Sequence, residues 1–356
     1  MSIPTHMSGV QLTGHGGSEV LVWNDAIPVL TPGPGEVLVK VAAAGVNNTD
    51  INTRVGWYAK EVTGATNDTD QDVEAGGWGG ALEFPRVQGA DMCGHVVAVG
   101  EGVDLPIGAR VTTMVNHPAP TEDNPVLYRC IGSEFDGGFA EYCLLDAQWA
   151  YDVSASPLSD VEVGAMPCAY GTALGLLTRA GVKAGERVLI TGASGGVGLA
   201  AVQLAHLKGA EVTAVTAAAK AETVRGAGAV YVLDRGDVPP EGQFHVVIDL
   251  VGGDGWGALI EALRPGGRYA TAGAVAGPIV ETDLRTVYLN DLTIIGCTYQ
   301  SHEMFTELVE IINKGLIRPV VSATYPLRDI ARAQEDFVSK KMPGKLVLIP
   351  HGKKKD

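Results

Sequence analysis

The sequence predicts an α/β protein of two parts, a mostly antiparallel β domain and a doubly wound parallel sheet. Three observations carry that expectation. A length of 356 residues favours two domains over one. Residues 37–153 hold short β runs punctuated by Gly and Pro. From residue 187 onward strand and helix alternate, which is the pattern of parallel strands joined by helical crossovers.

EVLVKVAAAGV, CGHVVAVG, ARVTTMV and FAEYCLL are the strands of the β-rich part, each alternating or apolar over strand length. Residues 160–180 read as one helix after them. Parallel strands are expected at 187–191, 212–216, 230–233, 245–250, 267–272 and 292–297. Six such strands match the two-halved architecture that binds dinucleotides. A helix follows near 302–313, and 320–350 returns to β character around a helix at 329–338. That return is too short to fold alone, so it completes the first domain. The expected domains are 1–157 with 318–356, and 158–317.

The most specific local signal is VLITGASGGVGL at 188–199, an apolar strand, a glycine-rich turn and an apolar helix. Gly192, Ala193, Ser194, Gly195, Gly196, Val197 and Gly198 form the turn. Such a turn aims backbone N–H groups and the positive helix end at a pyrophosphate. Ala193 stands in the first place of the G-x-G-x-x-G pattern, so the strict fingerprint is not met. The next strand ends in VTAAAK, with Thr216 and Lys220 but no carboxylate. A carboxylate there would bind the ribose 2′-hydroxyl of NAD(H) and repel a 2′-phosphate. Small residues and one lysine favour NADP(H).

Net charge is −15, and the basic residues are scattered except in the short HGKKKD tail. That balance argues against nucleic acid or an anionic membrane as partner. No apolar run reaches membrane-spanning length, and no amino-terminal stretch reads as a signal peptide, so a cytoplasmic protein is expected. Five cysteines without a close pair fit free thiols.

Six segments in order resemble the medium-chain dehydrogenase/reductase superfamily, in its zinc-free quinone oxidoreductase-like branch. They are AAAGVNNTD at 42–50, GADMCGHVVAVGEGV at 89–103, DGGFAEY at 136–142, the glycine turn, ALRPGGRYATAG at 262–273 and MPGKLVL at 342–348. The resemblance implies a GroES-like domain built from both ends of the chain, with a Rossmann domain between. It adds Thr172, Val251, Ala272, Gly273, Cys297 and Lys345 to the cofactor-binding positions, and Asn48, Trp57 and Trp78 to the substrate side.

Zinc-dependent relatives carry Cys where this chain has Asn47, and His-Glu where it has Ala90-Asp91. Cys168 alone keeps a metal-capable residue at a ligand position. One thiolate cannot hold a catalytic zinc, so no metal is expected. His117, Asp123 and Cys130 lack recognised ligand spacing. The implied catalytic residues are Asn47, Asp50 and Tyr58. Asn47 and Tyr58 are each able to donate a hydrogen bond to a developing oxygen; the alternative is that Asn47 serves only its own turn and Arg54 only pairs with a nearby carboxylate such as Asp50. Asn52 replaces a tyrosine of the family's pattern.

The expected activity is hydride transfer from NADPH to a quinone or an α,β-unsaturated carbonyl compound. A zinc-type alcohol dehydrogenase and a non-catalytic NADPH-binding protein stay open as alternatives. Relatives associate through the edge of the Rossmann sheet, here 293–299, which implies a homodimer or homotetramer. Residues 59–84, rich in Gly, Asp and Thr, are expected to form either a mobile flap carrying Trp78 over the substrate or an ordered surface insertion.

Overall fold

A computed structural model describes residues 3–66 and 82–351. Trp78, with most of the expected flap, lies outside the described residues. In chain order come β1 (His6–Leu12), β2 (Leu21–Pro28), β3 (Glu36–Gly45), α1 (Asn48–Val55), β4 (Arg86–Val87), β5 (Cys93–Val99), β6 (Arg110–Thr112), β7 (Asn116–Pro118), β8 (Tyr128–Cys130), β9 (Tyr142–Asp146) and β10 (Tyr151–Asp152). Then follow α2 (Asp160–Val163), α3 (Pro167–Arg179), β11 (Arg187–Ile190), α4 (Gly196–Leu207), β12 (Glu211–Val215), α5 (Ala221–Gly226), β13 (Tyr231–Leu233), β14 (Phe244–Asp249), α6 (Trp256–Glu261), β15 (Leu263–Thr271), α7 (Leu284–Leu289) and β16 (Thr293–Gly296). The chain closes with α8 (His302–Asn313), β17 (Val321–Pro326), α9 (Ile330–Val338) and β18 (Lys345–Ile349).

The described residues divide into two units. One holds 3–59, 82–171 and 299–351, and the other holds 60–66 and 172–298.

In the first unit a sheet runs in the order β10-β6-β5-β3-β18-β17, with β9 also paired to β3. Every pair is antiparallel except β17 with β18. The valines at 37, 39 and 41 alternate along β3 and bury one face in a core shared with Phe139, Leu145 and Leu348. The alanines that follow let other backbone approach closely, and a Cβ on Gly164 would collide with Ala43. β18 returns onto β3 with Val347 opposite Gly45.

Three expectations needed correction. Residues 160–180 form two helices, because the chain breaks after α2 and restarts at Pro167, whose missing N–H is tolerated only in a first turn. Residues 158–171 and 299–317 group with the first unit rather than the second. α8 is tied there by Ser156 Oγ donating to Ile312 O at 2.9 Å and by the Tyr151 and Phe305 rings at 4.8 Å. The β1–β2 hairpin was not expected at all.

The second unit holds six parallel strands in the order β13-β12-β11-β14-β15-β16, the third-second-first-fourth-fifth-sixth arrangement of a Rossmann sheet. Residues 60–66 attach to it through Thr66 N–H donating to Val275 O at 3.2 Å. No described helix is long and apolar enough to cross a membrane.

Candidate active site

The second unit supplies a dinucleotide cradle. β11 ends at Ile190, the turn follows, and α4 begins at Gly196. Gly192 adopts φ +57°, open to glycine at little cost. A Cβ on Gly198 would collide with Gly192 O and Ala193, so only glycine lets α4 approach the turn. Ala193 N–H donates to Val215 O at the end of β12 at 3.2 Å, and Gly195 N–H donates to Gly192 O within the turn at 3.0 Å. The N–H groups that open α4 have no partner within the helix and point toward its N-terminal side, where a phosphate is favoured.

Thr216 sits just past β12 with its side chain buried, and among the described residues its hydroxyl has no hydrogen-bond partner. Lys220 lies at the helical turn that follows, half-buried, and its ammonium pKa is lowered by burial and by the nearby Arg235. Arg235, just past β13, is a second cation here that the sequence reading missed. Its signal was available, a basic residue ending the next strand at the same edge. Val251, Ala272 and Gly273 sit at the carboxyl ends of β14 and β15, where Gly273 O accepts from Thr271 Oγ1 at 3.1 Å. Cys297 follows β16 and is buried, its thiol pKa raised by that burial. Thr172 lies on α3.

The first unit supplies a buried polar cluster. Asn47 caps α1 in an extended conformation. Asp50, at the third helical position, accepts from Asn47 N–H at 2.9 Å and from Ala90 N–H at 3.1 Å, so it stitches the start of α1 to the segment before β5. Burial pushes the Asp50 carboxyl up to about 7 despite those bonds.

Asp91 is fully buried and Lys345 is 2% exposed. Lys345 Nζ donates to Asp91 Oδ2 at 2.8 Å, to Val46 O at 3.0 Å and to Asn47 Oδ1. Asn47 Nδ2 donates to Asp91 Oδ2 at 2.9 Å and to Gly45 O at 3.4 Å. Cys168 N–H donates to Asp91 Oδ1 at 2.6 Å. The ammonium only donates and the carboxylate only accepts, so the Asn47 amide can face them one way only.

Two expectations change here. The Asn47 NH₂ donates within the protein and is not aimed outward at a substrate oxygen. Lys345, placed among the cofactor positions by the resemblance, is committed to Asp91 in the first unit. Asp91 and Lys345 together were missed, because 254 residues separate them and no local pattern links a loop before β5 to β18. Arg54 does not pair with Asp50. It donates to Gly16 O at 2.6 Å and to Gln334 Oε1 at 3.1 Å.

Tyr58 follows α1, half-buried, with its ring edge-on to Trp57 at 5.5 Å. Burial raises its phenol to about 12, while bonds from Thr49 and Asn52 to its hydroxyl act the other way. Asn52 therefore serves Tyr58. Asn48 Oδ1 accepts from Lys340 Nζ at 3.1 Å. Among the described residues no group of three or more His, Cys, Asp or Glu side chains could hold a metal ion. Chemically, the first unit offers a phenol donor beside a fixed polar frame, and the second offers a phosphate cradle with cations at its rim.

Comparisons with known proteins cover most of the chain. The family described as alcohol dehydrogenase GroES-like domain matches residues 33–155, and the family described as zinc-binding dehydrogenase matches 225–348. Acryloyl-coenzyme A reductase of Metallosphaera sedula is 30% identical over 96% of this chain and 99% of its own. Quinone oxidoreductase of Sus scrofa is 30% identical over 96% of this chain and 98% of its own. A solved structure of a putative alcohol dehydrogenase from Sinorhizobium meliloti is 43% identical, with a TM-score of 0.87 over 98% of this chain and 97% of that one.

Proposed function

We propose that this chain, which belongs to the medium-chain dehydrogenase/reductase superfamily and is an oxidoreductase, is an NADPH-dependent, zinc-independent reductase of quinones or α,β-unsaturated carbonyl compounds. The observation that carries the reading is the buried Lys345–Asp91–Asn47 cluster. In zinc-dependent relatives the positions of Asn47, Ala90 and Cys168 serve a metal. Here an amide, a methyl and one thiol stand at them, and a lysine ammonium already satisfies the adjoining carboxylate.

The glycine turn fits a dinucleotide, since Gly192 and Gly198 leave space that side chains would fill. Thr216, Lys220 and Arg235 would hold its adenosine end, with no carboxylate at the end of β12 to repel a 2′-phosphate. Bound there, NADPH supplies the hydride. The protein's own part is to bind, to exclude water and to place a proton donor. Tyr58 is that donor, its phenol kept protonated throughout the working pH range by burial. Asn47 and Asp50 are positioning residues that fix the start of α1, which carries Asn48 and leads to Tyr58. The exposed Leu284, Tyr288, Leu289 and Ile294 beside the β16 edge would bury themselves in a homodimer or a homotetramer.

A substrate panel tests the reading, with NADPH or NADH oxidation followed against quinones, enones, enoyl thioesters and aldehydes. Turnover is expected with NADPH and an electron-poor alkene or quinone, on protein carrying substoichiometric zinc and indifferent to chelator. An alcohol dehydrogenase is the second reading, favoured by the described nature of the 43%-identical neighbour. One tightly held zinc per chain together with alcohol oxidation would establish it instead.

A further inference from the structure

We propose that Asp249, acting with Thr191 and Tyr269, is the positioning residue of the dinucleotide turn. This rests on the reading that the chain binds a nicotinamide dinucleotide, and it names machinery that does not touch the ligand. Asp249 ends β14, and Thr191 follows β11. These neighbouring strands flank the point where the strand order of the sheet reverses. Ligands of open parallel sheets bind at that point, outside the carboxyl ends of the strands.

Asp249 is fully buried. Its Oδ1 accepts from Thr191 Oγ1 at 2.5 Å and from Val251 N–H at 2.9 Å. Its Oδ2 accepts from the Tyr269 hydroxyl and from Gly252 N–H at 3.1 Å. Thr191 Oγ1 in turn accepts from Leu250 N–H at 3.0 Å. Among the described residues these partners are all neutral. A buried carboxylate without a counter-ion is tolerated only when its lone pairs are filled, so each donor is firmly held.

What the carboxylate holds is the loop 250–253. Gly252 and Gly253 run through it at φ +65° and +67°. Val251 O accepts from Ala276 N–H at 2.8 Å, and Gly253 N–H donates to Gly277 O at 3.1 Å. On its other side the loop backs the glycine turn. A Cβ on Gly192 would lie 3.3 Å from Val251 Cγ2 and 3.6 Å from Leu250 Cβ. One carboxylate therefore fixes the wall against which Gly192 rests and the 273–277 segment beside it. Losing a donor lets Val251 shift, and the turn loses its fixed shape before any ligand arrives.

Thr191→Val and Tyr269→Phe each delete one hydroxyl and keep the surrounding packing. NADPH and NADH are titrated onto the full chain by nucleotide fluorescence, with melting curves in parallel. Each variant is expected to raise Kd about fivefold for both cofactors, and the double variant less than the product, because both hydroxyls act through one carboxylate. Thr191→Ser, which keeps the hydroxyl, should restore wild-type binding. Wild-type Kd in both single variants, whatever their melting temperature, overturns the proposal. If Thr191→Val does not fold, Tyr269→Phe decides alone. A wild-type chain that binds neither dinucleotide overturns the functional reading instead.

Discussion

Two fully buried carboxylates, one in each unit, are satisfied in opposite ways. Asp91 faces an ammonium, Lys345 at 2.8 Å, with Asn47 bridging the pair. Among the described residues Asp249 faces two hydroxyls and two backbone N–H groups and no cation. In the first unit the cation is drawn inside, where it pins β18 to the start of α1 and is withheld from ligands. In the second unit the carboxylate inside is held by neutral donors, while Lys220 and Arg235 stand near each other past β12 and β13. On the proposed reading, one unit uses its lysine for construction and the other uses its lysine for recognition.

The sharpest way to break this comparison is to remove the interior cation. Lys345→Met leaves Asp91 buried and unpaired, which should cost about 3–5 kcal/mol of unfolding free energy in urea titration. Adding Asp91→Asn should recover more than half of that loss, because Asn47 can then turn its amide to face the new one. Additive losses in the double variant would show that the two residues do not act as a pair.

A smaller effect concerns the neighbouring Asp50, whose carboxyl is raised from 3.8 to about 7, chiefly by burial. The folded protein then holds a proton that the unfolded chain releases first. Its contribution to stability is full below pH 3.8, falls as pH rises toward about 7, and is flat above that. Asp50→Asn should remove a pH-dependent component of a few kcal/mol between those limits. Urea unfolding of both proteins across this range checks it, and parallel curves would refute it.

The smallest effect tests the rim. Lys220→Glu should weaken NADPH by roughly 1.5–3 kcal/mol while sparing NADH, as read by fluorescence titration. Equal affinity of the wild type for both cofactors would remove the basis for calling Lys220 a recognition residue.

Much of this architecture was legible before any coordinates. The inner strands of the parallel sheet, β11, β12 and β14, are short, mostly apolar and mostly buried, and such runs stand out from their glycine-rich surroundings. The β1–β2 hairpin did not stand out, because HMSGVQL and LVWNDAIP mix polar and apolar residues on half-exposed strands. β15 begins at Leu263, earlier than expected, since Pro265-Gly266-Gly267 reads as a break, and the pairing with β14 shifts register there. Asn47 and Asp50 were singled out from a short continuous motif. Lys345 was singled out too, but not its pairing with Asp91, which is set by strand pairing across the chain. Asp249 was visible as an acid ending an apolar strand, and its four donors were not.

The return of β18 also sets an order of events during synthesis. The second unit, apart from residues 60–66, is one continuous stretch from 172 to 298 and can close as soon as it leaves the ribosome. The first unit cannot. Its central strand β3 waits at Ala44–Gly45 for Leu348 and Val347, about three hundred residues later in the chain. Until Lys345 arrives, Asp91 must remain hydrated and Asn47 has no ammonium to orient it. The polar cluster is therefore the last joint of the fold to be made, and a nascent chain whose parallel sheet has already closed still lacks it.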